Sequence, residues 1–106
     1  MSSNTPAPIQ KFIDATNKGD RLSFLSAFAE DAVLTDWGRT FAGRERIAEW
    51  DRTDNIGVRS HLAVVRIAHT GDICRAEVRV SGQGFNGTGT MTFHLAGGLI
   101  ARLEIS

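Results

Sequence analysis

The stretch Ile47-Ala48-Glu49-Trp50-Asp51-Arg52-Thr53-Asp54-Asn55-Ile56-Gly57-Val58-Arg59-Ser60-His61-Leu62-Ala63-Val64-Val65-Arg66-Ile67 is where the chain changes character. Up to about Thr53 the spacing predicts a helix starting at Arg44, with Ile47 and Trp50 on one side. Beyond Asn55 β-branched residues accumulate, and Val58 to His69 reads as a strand. Helical period lies on one side of this junction and strand period on the other.

Toward the C-terminus, Thr70-Gly71-Asp72 is a turn and Ile73 to Ser81 alternates. Gly82 to Gly87 is a glycine-rich turn, Gly87 to Leu95 a strand, Ala96-Gly97-Gly98 a turn, and Leu99 to Ile105 a last strand. Strand segments joined by short turns predict an antiparallel meander. Toward the N-terminus, residues 1–7 read as a frayed tail, and Pro8 suits a first helical turn. Ile9, Phe12, Ile13 and Thr16 follow at helical spacing, Gly19 ends that helix and Asp20 is placed to cap the next. Leu22, Leu25, Phe28 and Ala29 form the stripe of a second helix. Ala32 to Trp37 changes period and reads as a short strand, and Gly38 and Gly43 bracket a loop. Helices first and hairpins after mark an α+β domain, with three N-terminal helices packed on an antiparallel sheet.

At 106 residues the chain has material for one domain, spanning 1–106, and one hydrophobic core. Its 12 basic and 12 acidic residues balance, so no overall field attracts nucleic acid or an anionic membrane. No segment reaches the roughly 18 apolar residues of a membrane span, and MSSNTPAP lacks the features of a signal peptide. A cytoplasmic location is the expectation. Cys74 is the one cysteine, which excludes an intrachain disulfide framework and a multi-cysteine zinc site. Its small and apolar neighbours of the same parity predict a buried structural thiol.

Three segments carry a resemblance: Gly19-Asp20, then Phe28-Ala29-Glu30-Asp31-Ala32-Val33-Leu34, then Gly43-Arg44-Glu45-Arg46-Ile47-Ala48-Glu49-Trp50. With the terminal turn Gly97-Gly98-Leu99-Ile100 they resemble the nuclear transport factor 2-like superfamily, which includes SnoaL-like polyketide cyclases and ketosteroid isomerases. The resemblance covers almost the whole chain. It implies a cone-shaped fold in which a curved antiparallel sheet wraps around the three helices and encloses a largely apolar cavity, and in many members a homodimer formed through the outer sheet face. It says little about function, because this fold hosts isomerases, cyclases, hydrolases, dehydratases and plain binding proteins.

On that resemblance Asp36 aligns with the general-base aspartate of the ketosteroid isomerases, and an apolar cavity suits a carboxylate to that task. The alternative is an Asp at a strand end that bonds a turn N–H or Arg39. The isomerase oxyanion hole is missing. Phe12 stands where the resemblance puts its Tyr, the chain contains no Tyr, and Gly89 stands near the position of its protonated Asp. His61 shares parity with Ala63, Val65 and Ile67, so an Asp36–His61 pair in the cavity is one reading and a satisfied, partly buried histidine the other. His69 flanks a turn, and His94 alternates with Thr88, Thr90 and Thr92 on an outer face. The spacing of the three supplies no helical pair of metal ligands, and no metal or cofactor is expected.

Trp37 and Trp50 are expected near the cavity mouth, either stacking a flat ligand or anchoring core and loop. Phe12, Phe28 and Met91 would add an apolar lining that selects an apolar or aromatic small molecule. In the last strand, alternation sends Leu103 to the core and Arg102 and Glu104 to water. Registering the strand on the family pattern turns Arg102 toward the ligand instead. A homodimer would use Thr88, Thr90, Thr92 and His94, with Leu103 or Arg102 according to register. Gly82-Gln83-Gly84-Phe85-Asn86-Gly87 spells a dinucleotide fingerprint, but it joins two strands where that fingerprint needs a helix. Two functional readings follow: an isomerase or lyase/cyclase with Asp36 as base, or a non-catalytic ligand-binding or dimeric interaction domain.

Overall fold

Helix α1 (Ala7–Lys18) buries Ile9, Phe12, Ile13 and Thr16, the face read from the sequence. The computed structural model describes residues 5–106, so most of the tail expected over residues 1–7 lies outside the described residues. Gly19 adopts φ 74°, and the N–H groups of Gly19 and Asp20 bond the carbonyls of Thr16 and Ala15. A left-handed residue costs glycine little, so the chain reverses sharply there. Asp20 then caps α2 (Arg21–Ser26) by accepting from the Ser23 N–H and hydroxyl at 3.1 and 2.7 Å.

Helix α2 is shorter than its apolar stripe suggested. Leu22 is exposed and Phe28 opens a strand, β1 (Phe28–Asp36). Tertiary partners override the helical spacing. The Ile100 N–H bonds the Ala27 carbonyl, and Arg44 Nε and Nη2 donate to the Phe28 carbonyl at 3.0 and 2.6 Å. The segment read as a loop after Gly38 contains a further strand, β2 (Arg39–Ala42), in a hairpin with β1. Helix α3 (Gly43–Asp54) follows, buries Ile47, Trp50 and Asp51, and leads through a 3₁₀ turn (Ile56–Val58) into the sheet.

The meander β3 (His61–Thr70), β4 (Ile73–Ser81), β5 (Gly87–Ala96) and β6 (Leu99–Ile105) is antiparallel throughout. The six-stranded order is β2-β1-β6-β5-β4-β3, and β1 lies parallel to β6. The sheet is therefore mixed, a correction to the all-antiparallel expectation. A crossover through α3 separates β1 from the meander, so hairpin geometry does not dictate their relative direction.

The last strand combines both registers expected for it. Ile100 and Leu103 are each fully buried although three residues apart, and the β5–β6 pairing shifts between His94 and Leu95. Such an irregularity switches the facing of the residues beyond it. Leu103 joins the core, and Arg102 and Glu104 lie on the outer face, exposed. Cys74 is buried, with its Sγ 3.2 Å from His69 Nδ1, and burial pushes its thiol above the ordinary range.

Candidate functional site

The concave face of the sheet is filled at one end and hollow at the other. At the filled end the rings of Phe12, Phe24, Phe28 and Phe93 pack at centroid distances of 5.3–6.0 Å. Offset and edge-on ring pairs of this kind add stability beyond the area they bury. At the hollow end a pocket of about 240 Å³ lies between the C-terminal half of α3 and the strands. Val78 and Val80 of β4, Gly89 and Met91 of β5 and Ile105 of β6 form its floor.

Trp50 stands at the boundary. Its ring lies near-parallel to Phe24 (6.3 Å, 23°), and its Nε1–H donates to Asp36 Oδ2 at 2.9 Å. Asp36, the last residue of β1, pairs with Ile105, and the Trp37 N–H bonds the Ile105 carbonyl. Those bonds hold the strand end against β6 and set the carboxylate at the pocket. The Asp36 side chain is only 13% exposed, and Arg39 Nη2 donates to the same Oδ2 at 2.8 Å. Among the described residues no protein donor reaches Oδ1.

Arg39 also bonds Asp54 Oδ2, so one guanidinium nitrogen ties β1 to the end of α3. Asp54 is partly buried, which alone would raise its pKa. The Arg39 and Thr53 hydrogen bonds outweigh that and hold it below the ordinary carboxylate range. Asp54 first, and then Asp36, hold the Arg39 guanidinium above its ordinary value against the opposing effect of burial. Nε and Nη1 of Arg39 have no protein partner among the described residues.

The mouth is aromatic. Trp37 and Phe85 line it and are 73% and 57% exposed. Trp37 occupies φ 49°, a strained left-handed conformation for a bulky residue. Phe85 comes from the Gly82–Gly87 connection, which joins β4 to β5 as a hairpin. There the Asn86 side chain accepts from the Gly82 N–H and donates to the Gly82 and Gly84 carbonyls.

The other expected site residues lie elsewhere. Met91 and Trp50 line the pocket, whereas Phe12 and Phe28 are fully buried in the core beside it. Arg102 is on the outer face, near Glu104. His61 is exposed and borders a separate polar cleft with Asn17, Lys18 and Arg59, so no Asp36–His61 pair exists. The Asn17 side chain decides this: it donates to the Leu62 carbonyl at 3.0 Å and accepts from the Leu62 N–H at 2.7 Å. That clamp registers β3 with Leu62 inward and His61 outward.

Sequence reasoning passed over Asp54, Asn55 and Ser60, all of which line the pocket. A signal existed for Asp54. It is an acid on the last turn of a helix, at the negative end of the helix dipole, and such a group needs a cation. Among the described residues no group of three or more His, Cys, Asp or Glu side chains is placed to share a metal ion. No described helix is long and apolar enough to cross a membrane.

The sequence profile of the SnoaL-like domain family matches residues 9–103. The chain belongs to the SnoaL-like family. No curated protein sequence matches this SnoaL-like domain. Among solved structures it is similar to a Sinorhizobium meliloti protein proposed to be a polyketide cyclase, with TM-score 0.90 and 28% identity over 97% of this chain and 96% of the other. A Δ5-3-ketosteroid isomerase from a Mycobacterium species matches with TM-score 0.81 and 19% identity over 94% and 89% of the chains. A Mycobacterium tuberculosis protein in complex with estradiol-17β-hemisuccinate matches with TM-score 0.80 and 16% identity over 92% and 88%. The last two likenesses establish the fold.

Proposed function

We propose that this SnoaL-like domain binds an apolar or aromatic ring compound in the pocket beside Trp50 and Met91 and moves a proton on it with Asp36. The observation that carries the reading is the Asp36 carboxylate at an apolar pocket, with Oδ2 held by Trp50 and Arg39 and Oδ1 without a protein donor. A base needs this combination: one oxygen fixed for orientation and one available to a ligand C–H or O–H. The isomerase-type donors are absent, since Phe12 and Gly89 stand at their positions. Arg39 is the cation beside the base, and its unpaired N–H groups suit a negative charge developing on a ligand oxygen. The reaction class that fits is proton abstraction next to a carbonyl, as an isomerase, lyase or cyclase requires.

Deuterium exchange at C1 of 2-tetralone in D₂O tests this directly. The wild-type protein is expected to accelerate the exchange, and Asp36→Asn to lose at least about a hundredfold of that acceleration while still binding the ketone. Equal acceleration by the variant would remove Asp36 as the base. Binding without any acceleration would favour the rival reading, a non-catalytic binding domain, which the Asp36–Arg39 ion pair also supports.

The assembly we propose is a homodimer formed through the outer sheet face, where Thr90, Thr92, His94 and Arg102 face away from the core. Ile73, 40% exposed and registered with His94, gives that face an apolar point. Sedimentation of a monomer at high micromolar concentration would contradict it.

A further inference from the structure

The far flank of the pocket carries polar groups that neither the fold nor the proton-transfer reading uses. Asn55 ends α3 and Ser60 precedes β3. They are 2% and 6% exposed, and both line the pocket, with Ser60 also bordering the polar cleft of Asn17, Lys18, Arg59 and His61. Asp36 belongs to β1, and β6, β5 and β4 lie between β1 and β3 in the sheet, so Ser60 lies toward the opposite sheet edge from Asp36, while Asn55 follows Asp54, the Arg39 partner, on the helix side of the pocket.

The orientation of the Asn55 amide follows from its partners. Nδ2 donates to Thr16 Oγ1 and to Asp51 Oδ1, both at 3.0 Å. Asp51 Oδ1 also receives the Ile56 N–H, so the amide nitrogen must face it and the amide oxygen must face away. Among the described residues neither Asn55 Oδ1 nor Ser60 Oγ has a protein hydrogen-bond partner, yet neither is sealed from solvent. Buried polar groups in folded proteins nearly always have partners, and a pair left open toward a cavity is a place for a ligand's polar group.

The loop bearing them is preformed. The N–H groups of Val58 and Ser60 both bond the Asn55 carbonyl, at 3.1 Å each. Arg59 is held at φ 55°, which turns Ser60 inward at a cost in backbone strain. A Cβ on Gly57 would sit 1.4 Å from the Arg52 carbonyl oxygen, and one on Gly82 would sit 2.6 Å from that of Arg59. Only glycine permits such backbone approach, so neighbouring turns lock the loop from both sides.

We infer that Asn55 Oδ1 and Ser60 Oγ form a recognition subsite for a hydroxyl group, so the ligand is an apolar ring compound with an alcohol or phenol at the end away from Asp36. A hydroxyl donates to Asn55 Oδ1 and accepts from the Ser60 O–H with a single atom. A ketone, ether or methyl group in its place leaves the Asn55 oxygen desolvated and unpaired, and a site built to hydrogen-bond discriminates strongly against such analogues. The inference rests on the small-molecule reading above and adds the ligand's second functional group.

Titration of the full chain with 2-naphthol and with the near-isosteric 2-methylnaphthalene, followed by tryptophan fluorescence and heteronuclear NMR, tests it. The wild-type protein is expected to bind the naphthol about 3- to 10-fold more tightly, and Ser60→Ala to reduce that preference by weakening the naphthol alone, with Asn55 Oδ1 still accepting from it. Ser60→Thr keeps the hydroxyl and is expected to retain the preference, which separates hydrogen bonding from a packing defect. Equal wild-type affinities overturn the subsite and leave the apolar pocket standing. An undiminished preference in Ser60→Ala overturns it too, because Ser60 Oγ then takes no part in reading the hydroxyl. Failure of both probes to bind the wild-type protein removes the small-molecule reading and this inference with it.

Discussion

The two ends of the concave sheet face share the strands β5 and β6, but α1 and α2 cover one and the end of α3 the other, and one is solid while the other is hollow. At the solid end β5 and β6 contribute Phe93, Ile100 and Leu103, and α1 and α2 answer with Phe12 and Phe24. At the hollow end the same strands contribute Gly89 and Ile105, β4 contributes valines, and Trp50 stands between the two regions. The comparison teaches that volume, and not polarity, makes the pocket. Both floors are apolar, but rings from α1 and α2 fill one, and the other is left open beneath the end of α3. Polar groups enter only at the pocket rim, where strand ends and helix ends converge.

The largest way to break the contrast is to hollow the solid end. Phe93→Ala removes a fully buried ring that packs 5.5 Å from Phe12 and is expected to cost about 3–5 kcal/mol, read from the urea midpoint. A cost under about 1 kcal/mol would show that this end is loosely packed after all. Filling the hollow end gives the converse. Gly89→Val adds volume to the pocket floor against one close neighbour, the Ser106 carbonyl oxygen at 3.3 Å. Stability is expected to change by less than about 1 kcal/mol while 2-naphthol affinity falls by about tenfold or more. A large loss of stability with unchanged binding would mean that Gly89 serves the strand and not the cavity.

The smallest effect concerns the helix end that roofs the hollow. Burial pushes the Asp51 carboxyl above the ordinary carboxylate range, despite its hydrogen bonds from Asn55 and Ile56. Its protonated form is therefore favoured in the folded state. Its contribution to stability is greatest below the ordinary carboxylate value and is lost as pH rises through the raised folded value. Asp54 has the opposite sign: its contribution is present above the ordinary value and lost as pH falls through its lowered one. Asp51→Asn keeps an acceptor for both N–H groups, so its stability relative to wild type is expected to grow as pH increases from about 4 to about 7. Parallel urea midpoints over that range would mean that burial does not raise the Asp51 carboxyl.

Much of this protein was determined by its sequence alone. Period and turn chemistry placed α1, α3 and the four strands of the meander, because each depends on neighbours within a few residues. The same local logic put Asp36 at a strand end and Met91 and Phe93 on one face, and it left the facing of Leu103 open. Tertiary structure decided the rest, through contacts between residues far apart in the chain. Phe28 left its helical stripe because Ile100 and Arg44 took its backbone neighbourhood. His61 turned outward because Asn17, 45 residues upstream of Leu62, clamps the next backbone unit. Parallel pairing of β1 with β6 follows from a crossover that no local pattern encodes. Asp54, Asn55 and Ser60 became pocket residues only because folding brings the end of α3 and the connection to β3 around the same hollow as β4 and β5. A polar residue's sequence neighbourhood records what it can bond locally, and the folded chain decides which of those bonds are already taken.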